Sequence, residues 1–288
     1  MASVRGTHHE YVDSDGITIV YTRWAAPKPR GIAQISHGQG DHRKRYERLA
    51  QHLVGLGFTV YADDHRGHGD TGMSQWNGDI AKFGYLGPRG VRGAVDSINE
   101  LTRIARSENP GLPLVFLGHS MGSLFGQIAL DEGSLDADLV VWSGTALRTP
   151  FTMNGGNLNA KHAHLGTTGH EWLTRDEKAQ HEFFADAFTF KANAIKQFGF
   201  RGALALLGTP RPARRNVPIL ILQGSEDALG NGKSVLALTD RYVRAGYTDV
   251  ELYVYDGARH EVYNETNRDQ VFADLAKWLT KRLEKRTA

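Results

Sequence analysis

Three side chains spaced far apart in this sequence could together break an acyl bond. Ser120 sits in Gly118-His-Ser-Met-Gly122, a G-x-S-x-G pentapeptide. A serine hydroxyl is a weak nucleophile until a base takes its proton. His260 is the candidate base, and later the acid that protonates the leaving group. Asp227 is the candidate carboxylate that fixes the imidazole tautomer and stabilises the imidazolium. Rivals stand close by: Glu226 and Asp256 are carboxylates, and His119 adjoins the serine. Asp227 is preferred because it falls at the first turn beyond a strand. His119 is expected to point away from the site once a sharp turn directs Ser120 outward. In His37-Gly-Gln-Gly40, glycines on both sides of Gln39 permit a close backbone approach. The backbone N–H groups of Gln39 and Met121 are therefore the expected donors to a developing oxyanion.

The elements that must position these groups follow from the apolar pattern. Leu114-Val-Phe-Leu117 is a continuous apolar run, as expected of a central parallel strand covered on both faces. The pentapeptide follows at once, and Ser123 to Leu130 continues with helical spacing, so Ser120 lies on a strand–turn–helix elbow. Ser14-Asp-Gly16 marks a hairpin turn between two short strands. Strands are read at 31–36, 58–62, 137–143, 217–223 and 249–255. Helices are read at 45–54, 89–109, from 230 through 243, and 267–286. Residues 70–88 read as an extended, Gly-rich surface connection. Strands alternating with helices imply βαβ units and a mostly parallel sheet with helices on both faces.

That rhythm breaks between about 145 and 215. Glu171 to Ala187 has helical character there, and the segment is expected to be an inserted, mainly helical cap. The reading is a core of 1–144 and 216–288 with a cap of 145–215. His162, His164, His170 and His181 lack the spacing of a zinc helix and are expected on the solvated surface. Phe183, Phe184, Phe188, Phe190, Phe198 and Phe200 are expected mainly in the cap's own core, with some facing a pocket.

Ser120, Asp227 and His260 then all fall at the C-terminal ends of parallel strands, where sites in open α/β sheets form. Their order along the chain is that of α/β-hydrolases. Asp63-Asp-His-Arg-Gly-His-Gly69 holds two histidines and two aspartates, but on a glycine-broken loop without spacing to aim them together. A structural loop is the better reading than a metal site. The 288 residues contain no cysteine, which excludes disulfides, thiolate metal sites and cysteine nucleophiles. A formal charge of +2 gives nucleic-acid binding no support. No apolar leader or membrane-length apolar run is visible, so a soluble, cytoplasmic protein is expected. No metal or cofactor is expected.

Several spaced blocks give the chain a family resemblance. His37-Gly-Gln-Gly-Asp-His-x-x-Arg45-Tyr, Asp64-His-Arg-Gly-His-Gly69, the Ser120 elbow and Gly257-Ala-Arg-His-Glu261 resemble the monoacylglycerol lipase/lysophospholipase branch of the α/β-hydrolases. Glu171-Trp-Leu-Thr-Arg-Asp176 is also similar to bacterial members. The resemblance runs nearly end to end. It implies Ser120, Asp227 and His260 as the triad, Gln39 and Met121 as oxyanion donors, and a small ester or lipid as substrate. The activity to expect is hydrolysis of monoacylglycerols, lysolipids or other apolar esters through an acyl-enzyme. An aminopeptidase or amidase on the same scaffold is the alternative, and would want Glu171, Asp176 or Glu182 aimed at a substrate amine. A ligand-binding relative without turnover is a further class, against which the intact triad argues. The apolar 198–207 segment packs inside the cap or makes transient contact with lipid surfaces.

Overall fold

The computed structural model describes residues 3–287, with side chains described through 284. A hairpin of β1 (Thr7–Val12) and β2 (Thr18–Trp24) leads into β3 (Gly31–Ser36), β4 (Phe58–Asp63), β5 (Leu114–His119) and β6 (Leu139–Ser143). β7 (Ile219–Gly224) and β8 (Val250–Tyr255) complete one eight-stranded sheet in the order β1-β2-β4-β3-β5-β6-β7-β8. β2 runs antiparallel to both its neighbours, and all pairs from β4 to β8 are parallel. The hairpin turn forms because the Asp13 carboxylate accepts from the N–H groups of Asp15 and Ile17, while Gly16 takes φ 79°.

Helices cover both faces, which explains the unbroken apolar strands. On one face Leu114, Phe116, Ile219 and Ile221 meet α3 (Gly90–Glu108), α4 (Met121–Glu132) and α7 (Gly232–Arg244). On the other, Val115, Leu117, Leu220 and Leu222 meet α1 (Glu47–Gly55) and α8 (Arg268–Thr287). Alternate residues of each strand thus enter opposite cores.

Residues 70–88 are not an extended connection. α2 (Gly69–Gln75) and a 3₁₀ turn (Ile80–Lys82) lie within them. The helix is assembled from small residues by tertiary contact: Thr71 is buried and its hydroxyl accepts from Val20 N–H, and Gly72 lies flat on Gly67. Its glycines hide it from any reading of intrinsic propensity.

Between β6 and β7 the regular structure is helical: α5 (Glu177–Ala185), α6 (Ala194–Ala205), and a 3₁₀ turn (Ala163–Leu165), joined by irregular chain. The helix expected over 171–187 starts later because the Asp176 carboxylate caps it at Ala179 N–H, and it ends at Asp186. α6 is kinked at Gly199, where φ is 68°. No helix among the described residues is long and apolar enough to cross a membrane. Leu275 is fully buried where α8 meets the sheet. Leu275→Ala is expected to cost about 3 kcal/mol of stability, read as a lowered urea midpoint with unchanged slope.

Candidate active site

β5 delivers the chain into a turn that only a narrow backbone geometry allows. Ser120 has φ 50° and ψ −121°, a conformation an L-residue avoids, at a cost of about 1–3 kcal/mol. The surroundings enforce it. Ser120 N–H donates to the Ser143 carbonyl (3.0 Å), and Ser120 C=O accepts from Leu124 N–H (3.1 Å) as α4 starts. A methyl on Gly118 would stand 2.7 Å from Ser123 Cα, and one on Gly122 would overlap the Ser36 carbonyl oxygen. Both glycines of the pentapeptide are therefore required by close approach.

The loops after β7 and β8 bring Asp227 and His260 together. Ser225 N–H donates to Tyr255 O and Glu226 N–H to Ala258 O, stitching one loop to the other. The His260 ring then lies with Nδ1 2.9 and 3.0 Å from the two Asp227 oxygens. A carboxylate only accepts, so Nδ1 is the donor of this pair and Nε2 is the ring nitrogen not spent on Asp227. Asp227 is itself held by Leu229 N–H (2.8 Å) and by Gln223 Nε2 (2.7 Å). Asp227 and His260 are both buried. Gln223 carries no signal at sequence level, being an ordinary strand-end residue. The rival carboxylates lie elsewhere: Glu226 pairs with Lys161, and Asp256 is exposed.

Ser120 and His260 open onto one cavity of about 640 Å³, within the usual range for small-molecule sites. Its walls include Met121, Leu124, Met153, Trp172, Phe198 and Leu206. Gln39 and Met121 line it too. Among the described residues, neither of their backbone N–H groups is spent on another hydrogen bond. Gly38 lets this loop lie against the serine, since a methyl there would stand 3.2 Å from Ser120 Cβ. The loop after β4 supports it from behind: His37 Nε2 accepts from His65 N–H (2.9 Å), and Asp64 takes Arg43, whose guanidinium also reaches Asp70 (2.7 Å).

His119 does not point away from the site. Its ring is buried 4.8 Å from that of His260, with Nδ1 3.2 Å from Ser143 Oγ, and it lines the cavity. Burial first, and then the neighbouring His260, push its imidazole down to about 4, so it is neutral at ordinary pH. Trp172 was missed at sequence level. Its ring lies 4.6 Å from that of His260 on the cavity side, and an isolated aromatic in an irregular segment gives no warning of this.

The segment between β6 and β7 roofs the cavity. Phe190 N–H donates to Gly40 O (3.1 Å), Gln39 Nε2 donates to Gln197 Oε1, and Glu261 N–H donates to Leu173 O (2.6 Å). His162 is buried with Nε2 3.1 Å from Glu226 O, and His170 lines the cavity, so these two are not solvated surface; His164 and His181 are exposed. Of the six phenylalanines, Phe183, Phe190 and Phe198 face the cavity, Phe188 stacks on Phe83, and Phe184 and Phe200 are exposed.

A mostly parallel sheet, with a serine on its central elbow and a carboxylate–imidazole pair at the same edge, defines an α/β-hydrolase. The chain belongs to the Hydrolase_4 family, described as serine aminopeptidase S33, which it matches over residues 27–267. It is 30% identical to a monoacylglycerol lipase of Mycolicibacterium smegmatis, over 98% of this chain and 100% of that protein. It is 29% identical to human monoglyceride lipase, over 94% and 89% of the two chains. Among solved structures, a lipase in an open form superposes with TM-score 0.83 at 25% identity, covering 97% of this chain and 99% of that one. A soluble variant of the Saccharomyces cerevisiae monoglyceride lipase with a substrate analogue superposes with TM-score 0.75 at 21% identity, covering 98% and 96%. The overlap at Ser36 generates a test of the elbow. Gly122→Ala is expected to lose about 1–3 kcal/mol, measured as a drop in thermal midpoint.

Proposed function

We propose that this protein hydrolyses carboxylic esters with an apolar acyl group, monoacylglycerols and lysolipids among them, through an acyl-enzyme on Ser120. The observation that carries the reading is His260, paired with Asp227, opening with the strained Ser120 onto a largely apolar cavity. Ser120 Oγ attacks the ester carbonyl while His260 Nε2 takes its proton. The oxyanion is received by the N–H groups of Gln39 and Met121, each worth on the order of 3 kcal/mol. The same proton passes to the departing alcohol. A water activated by His260 then releases the acid and restores the serine. Residues 145–215 act as the cap that shapes the acyl site.

The family's aminopeptidase description raises the amide alternative. An amine substrate needs an unpaired carboxylate in the cavity. Glu171 is instead occupied by Asn159 Nδ2 (2.6 Å) and Thr168 N–H (2.7 Å), Asp176 by Ala179 N–H and Arg268, and Glu182 lies at the surface beside Lys178. None of the three lines the cavity. The carboxylates that do, Asp41 and Glu261, are both bonded to Arg45. Two lysines, Lys191 and Lys196, stand at the cavity instead. This set favours esters over amino-acid amides.

The roof also suits transient contact with a lipid surface. α6 lines the cavity with Ala194, Ile195 and Phe198, yet leaves Phe200 70% and Leu204 47% exposed. Apolar side chains left in water gain by entering a lipid interface.

Two measurements check these readings. Ser120→Ala should lower kcat on a p-nitrophenyl ester about 10⁶-fold, and Asp227→Asn about 10⁴-fold. A Ser120→Ala enzyme turning over at the parent rate, or faster turnover of amino-acid amides than of esters by the parent, rejects the mechanism. In vesicle flotation, Phe200→Ser with Leu204→Ser should lose the lipid-bound fraction while hydrolysis of a water-soluble ester continues. Equal flotation of variant and parent rejects the lipid contact.

A further inference from the structure

The hydrolase reading gives no chemical role to Asp41, Arg45 and Tyr46 or to Glu261, the neighbour of His260, and the structure joins them. Arg45 is bidentate on Glu261, with Nη1 to Oε1 and Nη2 to Oε2 both 3.0 Å, and its Nη1 also reaches Asp41 Oδ1 at 2.9 Å. Each carboxylate is fixed further. Asp41 accepts from Tyr46 Oη (2.8 Å) and His42 N–H (2.8 Å), and Glu261 from Asn264 Nδ2 (2.9 Å). The guanidinium also lies 4.6 Å from the centroid of Phe183, a roof residue on the cavity. One largely buried side chain thus touches the Gln39 loop, the His260 loop and the roof.

As a stabiliser this triad is a poor device. Three charges leave water, and apolar residues of the same volume commonly do as well or better. What a planar fork supplies instead is fixed geometry: two parallel hydrogen bonds set distance and orientation at once. Asp41 stands two residues after Gln39, and Glu261 directly follows His260. Both carboxylates border the cavity, so the fork spans the gap between the oxyanion loop and the imidazole loop.

We propose that Arg45 is a positioning residue, whose fork on Glu261 and Asp41 sets the separation between the His260 imidazole and the Gln39 N–H across Ser120. The inference rests on the ester-hydrolase reading. Misplacement of reacting groups by about 1 Å costs on the order of 10²-fold in rate.

The test measures turnover of p-nitrophenyl butyrate per active serine, with active serines counted by exhaustive titration with a fluorophosphonate. In Arg45→Met, kcat per titrated serine should fall about 10²-fold with KM changed less than about threefold, the pattern of lost transition-state geometry. Arg45→Lys should recover only part of that loss, because an ammonium cannot reproduce the fork. Glu261→Gln should fall in the same direction, and Arg45→Met with Glu261→Gln no further than Arg45→Met alone. If Arg45→Met does not fold, Arg45→Lys and Glu261→Gln carry the test. A merely structural role lowers the fraction of titratable serine and leaves the rate per serine intact. That result, or a change in KM alone, overturns the inference. A parent enzyme that neither turns over the ester nor labels at Ser120 removes the hydrolase reading itself. A parent that does both, with variants of unchanged rate per serine, removes only the role of Arg45.

Discussion

Ser120 is held where an alanine or leucine in a free chain would not stay, and much of the molecule serves to keep it there. With this positive φ, Ser120 and Met121 both border the cavity, and the Met121 N–H makes no other hydrogen bond among the described residues. Strain of this kind persists only when neighbours over-determine it. Here they do so from three strands: Ser36 on β3 blocks any side chain at residue 122, Ser143 on β6 anchors Ser120 N–H, and β5 itself supplies the approach. The two apolar cores above and below these strands make that edge stiff enough to hold a conformation the isolated sequence would reject.

A second consequence of the parallel arrangement is economy of reach. β3, β5, β7 and β8 all terminate at one edge, so four loops far apart in sequence arrive within side-chain distance of each other. Each loop brings one part: a free N–H, an alcohol, a carboxylate, an imidazole. The bonds between loops do the fine adjustment. Glu265 illustrates this, since its buried carboxylate accepts from Arg259 N–H (2.8 Å) in the imidazole loop and from Arg175 Nε (2.8 Å) in the roof.

The sheet was legible in the sequence, and so were the places of the candidate residues Ser120 and Asp227, because each follows shortly after an apolar run that stops abruptly. Leu114–Leu117 before Ser120 and Ile219–Leu222 before Asp227 are unambiguous strands, and the loop after such a run begins at the sheet edge. What was not legible depends on tertiary contact. The direction of the His119 ring follows from its seat between Ser143 and His260, not from its neighbours in sequence. α2 forms from glycine and threonine because β2 and Gly67 accept them closely. The union of Arg45 with Glu261 spans 216 positions and leaves no local trace. In the roof, capping by Asp176 and the break at Gly199 decide helix limits that periodicity blurs.

The indole of Trp172 has a practical bearing on how the molecule can be watched. Trp24, Trp142 and Trp278 are locked inside the two cores, and Trp76 lies outside the cavity; Trp172 alone among the tryptophans borders it, its ring tilted 36° against the His260 imidazole. Its light emission is therefore an internal reporter: filling of the chamber, or a proton arriving on the adjacent ring, alters the surroundings of that one fluorophore while the other four stay constant. Acylation and deacylation can be followed in real time without attaching any dye.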